Sequence, residues 1–176
     1  RPSTFFGNGI VAHVGMAVPF CNDIREVIHQ SVYELGIEHH FGGIYVCIEG
    51  PQFSTKAESE TNRTLGFSVV GMTAVPEAKL AREAEICYAN VSLVTDFDVW
   101  KDGEEVTNDA VIAAMSSNIS NAKRVIKDLV LKLSNRECKC SCRDALKTAI
   151  MTAPEKLLIS PSYNDLALLL GKYYSK

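Results

Sequence analysis

Ser68-Val-Val-Gly-Met-Thr-Ala-Val-Pro-Glu77 decides how the chain is read. It opens as a short apolar strand over Phe67–Val70, breaks at Gly71, and restarts as a helix whose first turn holds Pro76 and Glu77. Proline is accommodated early in a helix because the amide it lacks has no partner there. Thr73 is thereby a candidate N-cap. It is equally a candidate anion ligand, because free amides and the positive end of a helix dipole meet at such a place. In open α/β sheets, ligands gather beyond the carboxyl ends of strands, so the rest of the chain is expected to wall that spot.

Upstream, Gly9–Met16 alternates well enough to predict a strand, with Val11, His13 and Gly15 on one face. Asn22 or Asp23 caps a helix whose inward stripe is Ile24, Val27, Ile28, Ser31 and Leu35, and Gly36 stops it. Gly43–Ile48 is nearly all apolar, as in a strand covered on both faces. Glu49-Gly-Pro-Gln-Phe53 then turns, and Ser54 or Thr55 caps a helix through Leu65 that Gly66 ends.

Downstream, Glu77–Ile86 is predicted helical and Tyr88–Val94 a buried strand closing in Thr95-Asp-Phe-Asp-Val-Trp100. After a polar loop, Lys101–Val106, a long helix spans Asn108–Ser134. Its inward positions at helical spacing are Val111, Ile112, Met115, Ile119, Ala122, Ile126, Leu129 and Leu133. Short helices are expected over Arg143–Thr152 and Ser162–Tyr174. Strands alternating with helices predict one α/β domain over residues 1–176, with a mixed, largely parallel β-sheet flanked by helices. Arg1-Pro2 follows no initiator methionine, signal or transit pattern. The chain is therefore expected to be the C-terminal part of a longer polypeptide, with N-terminal strands of the domain missing from it.

The 176 residues, 47% of them apolar, suffice for one domain with a sizeable core. A formal charge of −3 with mixed signs argues against nucleic-acid binding. No apolar run approaches the roughly 20 residues of a membrane helix. These features set the expectation of a cytoplasmic protein without nucleic-acid or membrane partners. Six cysteines are many for that compartment. Cys138-x-Cys140-x-Cys142 lacks the usual zinc spacing, so no metal is expected. It reads as a redox-active or disulfide-bonded loop, or as reduced surface thiols. Intracellular disulfides are a habit of hyperthermophiles.

Asp96 and Asp98 stand two apart at a strand end, and on an extended backbone both side chains share one side. Such a pair suits metal binding, general acid–base work, or acceptance of hydrogen bonds from a ligand's N–H groups. Few further ligands favour a metal. Adenine offers an N6 amino donor, and its N7 gains a proton as the base departs. A carboxylate sharing that proton acts only as the bond breaks, which is what catalysis requires. Two exposed aspartates that merely cap the following loop are the competing reading. Phe53 offers a ring to stack on a planar ligand, or a core residue. His13 defaults to a core or interface position, His39 and His40 to a solvated turn, and Glu60 and Arg63 to a solvated helix face.

Glu-Gly-Pro-Gln-Phe-Ser at 49–54, Gly-Met-Thr-Ala-Val-Pro-Glu at 71–77 and Thr-Asp-Phe-Asp at 95–98 occur in one order. Together with His13-Val-Gly-Met-Ala-Val-Pro-Phe-Cys21, they resemble the methylthioadenosine phosphorylases, in the trimer-forming branch of the purine nucleoside phosphorylase family. The similarity runs from about residue 1 to 130 and is weaker in the tail. The resemblance implies a nucleoside phosphorylase fold and phosphate-dependent cleavage of an N-glycosidic bond, with inorganic phosphate as co-substrate and no cofactor. A ribosyl-cation-like transition state is then stabilised by nearby phosphate and by a stabilised leaving purine.

It further implies that Thr73 binds phosphate, Met72 lies along the ribose, and Phe53, Val70 and Gly71 bound the purine. Asp96 takes N7 and its proton, and Asp98 takes the N6 amino group. Ser54 with these aspartates points to a 6-aminopurine. Val111 and Ile112 match an apolar wall for a methylthio group, and a polar Asn108 beside them leaves room for adenosine as well; a broader purine nucleoside phosphorylase that also accepts adenosine or inosine is the alternative. An apolar pocket discriminates one small group by only about 1–3 kcal/mol. His13 matches a position reaching a neighbouring subunit's site, which implies a homo-oligomer, a trimer or a dimer of trimers. The family's glycine-rich phosphate loop and Arg-His pair lie upstream and are absent from this chain, so phosphate binding is expected to need the missing segment. For the thiols, a Cys21–Cys87 bridge and a disulfide within 138–142 are expected. A thiol module in which Cys138, Cys140 and Cys142 bind metal or switch redox state is the rival from another class.

Overall fold

The computed structural model describes residues 1–101 and 108–174. Its elements in chain order are α1 (Asn22–Glu34), β1 (Tyr45–Cys47), α2 (Lys56–Thr64), β2 (Val69–Gly71), α3 (Ala74–Glu83), α4 (Asn108–Ser134), α5 (Pro154–Ile159) and α6 (Ala167–Leu170). Short 3-10 turns stand at Ser141–Asp144 and Pro161–Tyr163. The chain is α/β, with helices accompanying a small parallel sheet. It divides into two compact units: Arg1–Ile24, Val75–Ala89 and Cys138–Lys176 form one, Arg25–Ala74 and Asn90–Glu137 the other.

The first unit holds the larger apolar core. Phe6, Ile10, Leu146, Ala149, Leu157, Tyr163, Leu166 and Leu170 are buried together, with Val14, Ile150 and Tyr173 packed against them. Gly9–Met16 forms no strand: a single antiparallel bridge joins Ala12 to Ile150. Gly9 sits at φ +91° and Ile10 drops into the core, so extended pairing survives only where Val11 and His13 meet residues 149–152. The buried Glu83 carboxylate is satisfied by the Thr4 hydroxyl at 2.7 Å and the Phe5 amide at 2.6 Å, which ties down the first residues.

The helices expected over 143–152 and 162–174 are not continuous. Amides there bond three residues back, Lys147 to Asp144 and Ala149 to Leu146, as in tight 3-10 turns. Leu146 and Ala149 could share one face of a helix, but residues 149–151 pair with Val11 and His13 as extended chain, which a helix continuing to 152 cannot do.

In the second unit β1 and β2 pair in parallel, with Tyr45 opposite Val69, Val46 opposite Val70 and Cys47 opposite Gly71. Both strands are half-buried rather than covered on both faces. The expected strand Tyr88–Val94 makes no ladder among the described residues. Val91, Leu93 and Val94 are exposed, and the Val94 carbonyl accepts from the Asn118 side-chain amide at 2.9 Å instead. α4 has the predicted span, and its predicted stripe is covered only in part. Among its described residues Val125 is buried and the expected Ala122, Leu129 and Leu133 are half-buried, whereas the expected Ile112, Met115, Ile119 and Ile126 are exposed. The polar Lys132 takes part in the packing, donating to the fully buried Ser31 hydroxyl at 3.3 Å and pairing with Glu34 and Asp128. A stripe chosen by hydrophobicity alone cannot anticipate that contact.

Candidate functional site

Parallel pairing puts the carboxyl ends of β1 and β2 on the same side, so the segments 48–54 and 72–73 leave the sheet together. The Ile48 amide donates to the Gly71 carbonyl at 2.9 Å and extends the pairing by one step. Two glycines make the close approach possible. Gly50 stands at φ +71°, and a Cβ on it would lie 2.7 Å from the Met72 sulfur. A Cβ on Gly71 would overlap the Tyr45 hydroxyl. A side chain at Gly50 would hold a strained left-handed φ and displace the Met72 thioether, and one at Gly71 would displace the Tyr45 ring.

After the cis Gly50–Pro51 bond, Phe53 is 85% exposed, so it is no core residue; its ring is free of the protein interior and presented to solvent. The Ser54 hydroxyl is buried and finds no hydrogen-bond partner among the described residues. Thr55 caps α2 in a full capping box, its hydroxyl accepting from the Glu58 amide while the Glu58 carboxylate accepts from the Thr55 amide. That bond to the Thr55 amide, then the one to its hydroxyl, holds the Glu58 carboxyl below its ordinary value. Val70, Gly71 and Met72 are half-buried, and Thr73 is exposed one residue before α3 begins.

Asp96 and Asp98 are both in this unit, but not as two same-side residues of a strand. Asp98 adopts φ +60°, and its amide donates to Asp96 Oδ1 at 2.9 Å. The other Asp96 oxygen accepts from the Thr95 hydroxyl at 2.7 Å. Asp98 in turn accepts from the Val99 amide at 2.8 Å and, through Oδ2, from the buried Ser59 hydroxyl at 2.7 Å. Asp96 thus shapes the turn, and Ser59 on α2 pins Asp98 from 39 residues away. Sequence reasoning missed Ser59. A small hydroxyl one turn inside a helix with polar neighbours carries no pattern of its own. It also missed the aromatic wall beyond: Arg63 lies 4.0 Å over the Trp100 ring, Phe97 meets Trp100 edge-on, and Lys101 lies 3.8 Å over Phe97. Arg63 is therefore not a merely solvated residue. His39 is likewise engaged, its Nδ1 2.7 Å from the Ile37 carbonyl and its ring beside His29.

Ile112 is exposed on α4. The side chains of Asn108 and Val111 and the expected polar loop beyond Lys101 lie outside the described residues. His13 belongs to the first unit, exposed, with its amide bonded to the Ala149 carbonyl at 2.8 Å.

The first unit also gathers thiols. All six cysteines are free, and the expected Cys21–Cys87 and loop disulfides are not formed. Cys87 Sγ instead lies 3.2 Å from Cys140 and 3.4 Å from Cys138, and the last two are 3.0 Å apart. Burial, with the contacts to Cys140 and Cys138, pushes the Cys87 thiol far up. Burial and the Cys140 contact push Cys142 up to about 12. Burial acts the same way on Cys140, but hydrogen bonds from Cys138, the Cys142 amide and Cys87 outweigh it and lower that thiol.

A model of the Phosphorylase superfamily matches residues 1–131. The S-methyl-5'-thioadenosine phosphorylase of Geobacter sulfurreducens is 46% identical over 175 residues, 98% of this chain and 60% of that protein. The enzyme of the same name from Koribacter versatilis is 46% identical over 100% of this chain and 60% of its own length. These alignments include the tail, where the resemblance read from the motifs is weaker. Among solved structures, a methylthioadenosine phosphorylase sourced from an Antarctic soil metagenomic library superposes with a TM-score of 0.88 at 43% identity, covering 96% of this chain and 60% of that one. An adenosine/methylthioadenosine phosphorylase variant from Schistosoma mansoni, in complex with adenine, superposes at 0.80 with 29% identity over 87% of this chain and 63% of that one. The chain thus spans about three fifths of the length of these relatives. Carrying the superfamily's match across three quarters of its length, and the same fold as these structures, the chain belongs to the phosphorylase superfamily.

Proposed function

We propose that this chain carries the purine-binding part of a phosphorylase that converts 5'-methylthioadenosine and phosphate to adenine and 5-methylthioribose 1-phosphate. A phosphate oxygen bonds to C1' as the C1'–N9 bond breaks, and the electron pair of that bond leaves with the purine. Asp96 faces N7 and shares the proton that settles there. Asp98 accepts from the N6 amino group. Phe53, Val70 and Gly71 flank the base, Met72 lies along the ribose, Thr73 binds phosphate, and Ser54 uses its unpartnered hydroxyl near the base. Asn108, Val111 and Ile112 receive the 5' substituent. Phosphate is the co-substrate, and the reaction needs no cofactor.

The observation that carries this reading is the anchored acidic turn. Ser59, Asp96 and Asp98 hold two carboxylates in one fixed geometry, in a chain 46% identical to phosphorylases named for this nucleoside. Broader use, with adenosine also accepted, is the second reading, favoured by the likeness to the Schistosoma adenosine/methylthioadenosine enzyme. We place the enzyme in the cytoplasm, in purine and methionine salvage, as a trimer or dimer of trimers to which His13 contributes across the subunit boundary. Its phosphate site is completed by sequence of the relatives' remaining two fifths.

The test measures adenine release from 5'-methylthioadenosine by chromatography, in a polypeptide of the relatives' length, with and without phosphate. Release should require phosphate. Asp96→Asn and Asp98→Asn should each lower kcat/KM by roughly 10²–10⁴-fold, and Ser59→Ala by about tenfold through the loosened Asp98. Phosphate-independent release, or full activity in both aspartate variants, overturns the reading. Full activity of the 176-residue chain alone overturns the shared phosphate site.

A further inference from the structure

Five of the six cysteines stand in one cluster for which phosphorolysis has no use. Cys21, Cys87, Cys140 and Cys142 place their sulfurs all within 4.8 Å of one another. They come from separate segments of one compact unit: the entrance to α1, the exit from α3, and the 3-10 turn after α4. Cys21 and Cys142 are buried, and Cys87 and Cys140 are half-buried. Cys138 lies against Cys87 and Cys140 as a fifth thiol.

The separations are informative. Contacts of 3.0–3.4 Å exceed the roughly 2.05 Å of a covalent S–S bond. A tetrahedral ion with metal–sulfur bonds of about 2.3 Å sets its sulfurs about 3.8 Å apart, close to what this cluster holds. Pairwise oxidation fits it poorly, because five sulfurs cannot all pair and Cys87 touches two of them. The Cys142 amide donates to the Cys140 sulfur at 3.4 Å, the kind of main-chain bond that supports a negatively charged thiolate. Arg82 points its guanidinium at the Cys142 sulfur, 3.8 Å away, while a second nitrogen is fixed by the Val18 carbonyl at 2.5 Å and the Pro19 carbonyl at 3.3 Å. Four thiolates around a dication leave an excess of negative charge, and buried charge must be compensated. Arg82 offsets half of it.

We propose that Cys21, Cys87, Cys140 and Cys142 form a tetrathiolate site for one zinc ion, a structural staple of this unit. Soft thiolates in a closed tetrahedral set select zinc among the common divalent ions. The unusual Cys-x-Cys-x-Cys spacing is no obstacle, because the tertiary structure brings Cys21 and Cys87 to complete the set. The ion takes no part in phosphorolysis, so the site stands or falls independently of that reaction.

The test is metal analysis of protein produced with zinc and purified under reductant. About one zinc per chain is expected. Cys140→Ser and Cys87→Ser should each lower the zinc content at least tenfold, while Cys138→Ser and Cys47→Ser retain it. Cobalt substitution should give the intense visible bands of a tetrahedral tetrathiolate ion. Where a serine variant does not fold, thiol alkylation of the unaltered protein replaces it, with four thiols protected until a chelator is added. Zinc-free protein under these conditions, zinc retained by both Cys140→Ser and Cys87→Ser, or peptide mapping that finds these cysteines joined in disulfides would each overturn the proposal.

Discussion

At the scale of single residues, three acids show how partners decide a carboxylate's role. Asp96 and Asp98 are adjacent in pattern, yet one shapes the turn and the other is held by Ser59. The paired-acid signal was legible in the sequence. Neither the left-handed backbone at Asp98 nor its bond from a hydroxyl 39 residues away was. Glu85 is the third acid. Burial raises its carboxyl, but the Tyr173 hydroxyl at 2.6 Å, the Leu146 amide at 2.9 Å and Lys172 at 3.1 Å outweigh that and hold it below the ordinary 4.5. A carboxyl whose folded value is depressed adds stability that is present above its unfolded value and is lost as pH falls through the folded one. Glu85→Gln should therefore cost about 1–3 kcal/mol at pH 7. The gap from the unaltered protein should close below the ordinary glutamate range. Urea midpoints across pH check this, and a gap that persists in acid contradicts it.

At the scale of elements, helices were more legible than strands. α2 announces itself through Thr55, Glu58 and Gly66, because a capping box is made within four consecutive residues. Thr55→Ala should lower stability by about 0.5–2 kcal/mol, read by chemical denaturation. In a polypeptide of the relatives' length it should also raise the KM for the nucleoside more than it lowers kcat, since Ser54 directly precedes the Thr55 cap and Ser59 lies on α2. Strands require a partner, and 88–94 has the composition of one without a ladder beside it among the described residues. α4 was right in span and right in face only for Ala122, Leu129 and Leu133, which are half-buried. Its apolar row Ile112, Met115, Ile119 and Ile126 stays exposed, while Val125 and the polar Lys132 make the contacts.

At the scale of the whole molecule, the decisive contacts join distant parts of the chain. The core of the first unit closes distant parts of the chain, residues 6–10 with 146–170. Leu157 is fully buried at its centre. Leu157→Ala should cost about 2–5 kcal/mol, the range for a buried leucine truncated without full collapse of the cavity. Denaturant unfolding measures it, and a loss under about 1 kcal/mol would mean that the tail packs loosely. The candidate nucleoside residues other than His13 are in the second unit, so in folded protein this substitution should change the KM for the nucleoside less than Asp98→Asn does.

What the sequence determined by itself is whatever short-range chemistry dictates: the α/β class, the spans of α1, α2 and α4, and the motifs that place the chain in its superfamily. Caps, periodicities and turn residues act within one or two turns of chain, so one sequence suffices to read them. The tertiary structure decided which face of α4 is covered, that Ser59 anchors Asp98, and that Cys21 and Cys87 meet the 138–142 loop. Those contacts join residues 39 to more than 100 positions apart, and their energies exist only once the chain has closed on itself.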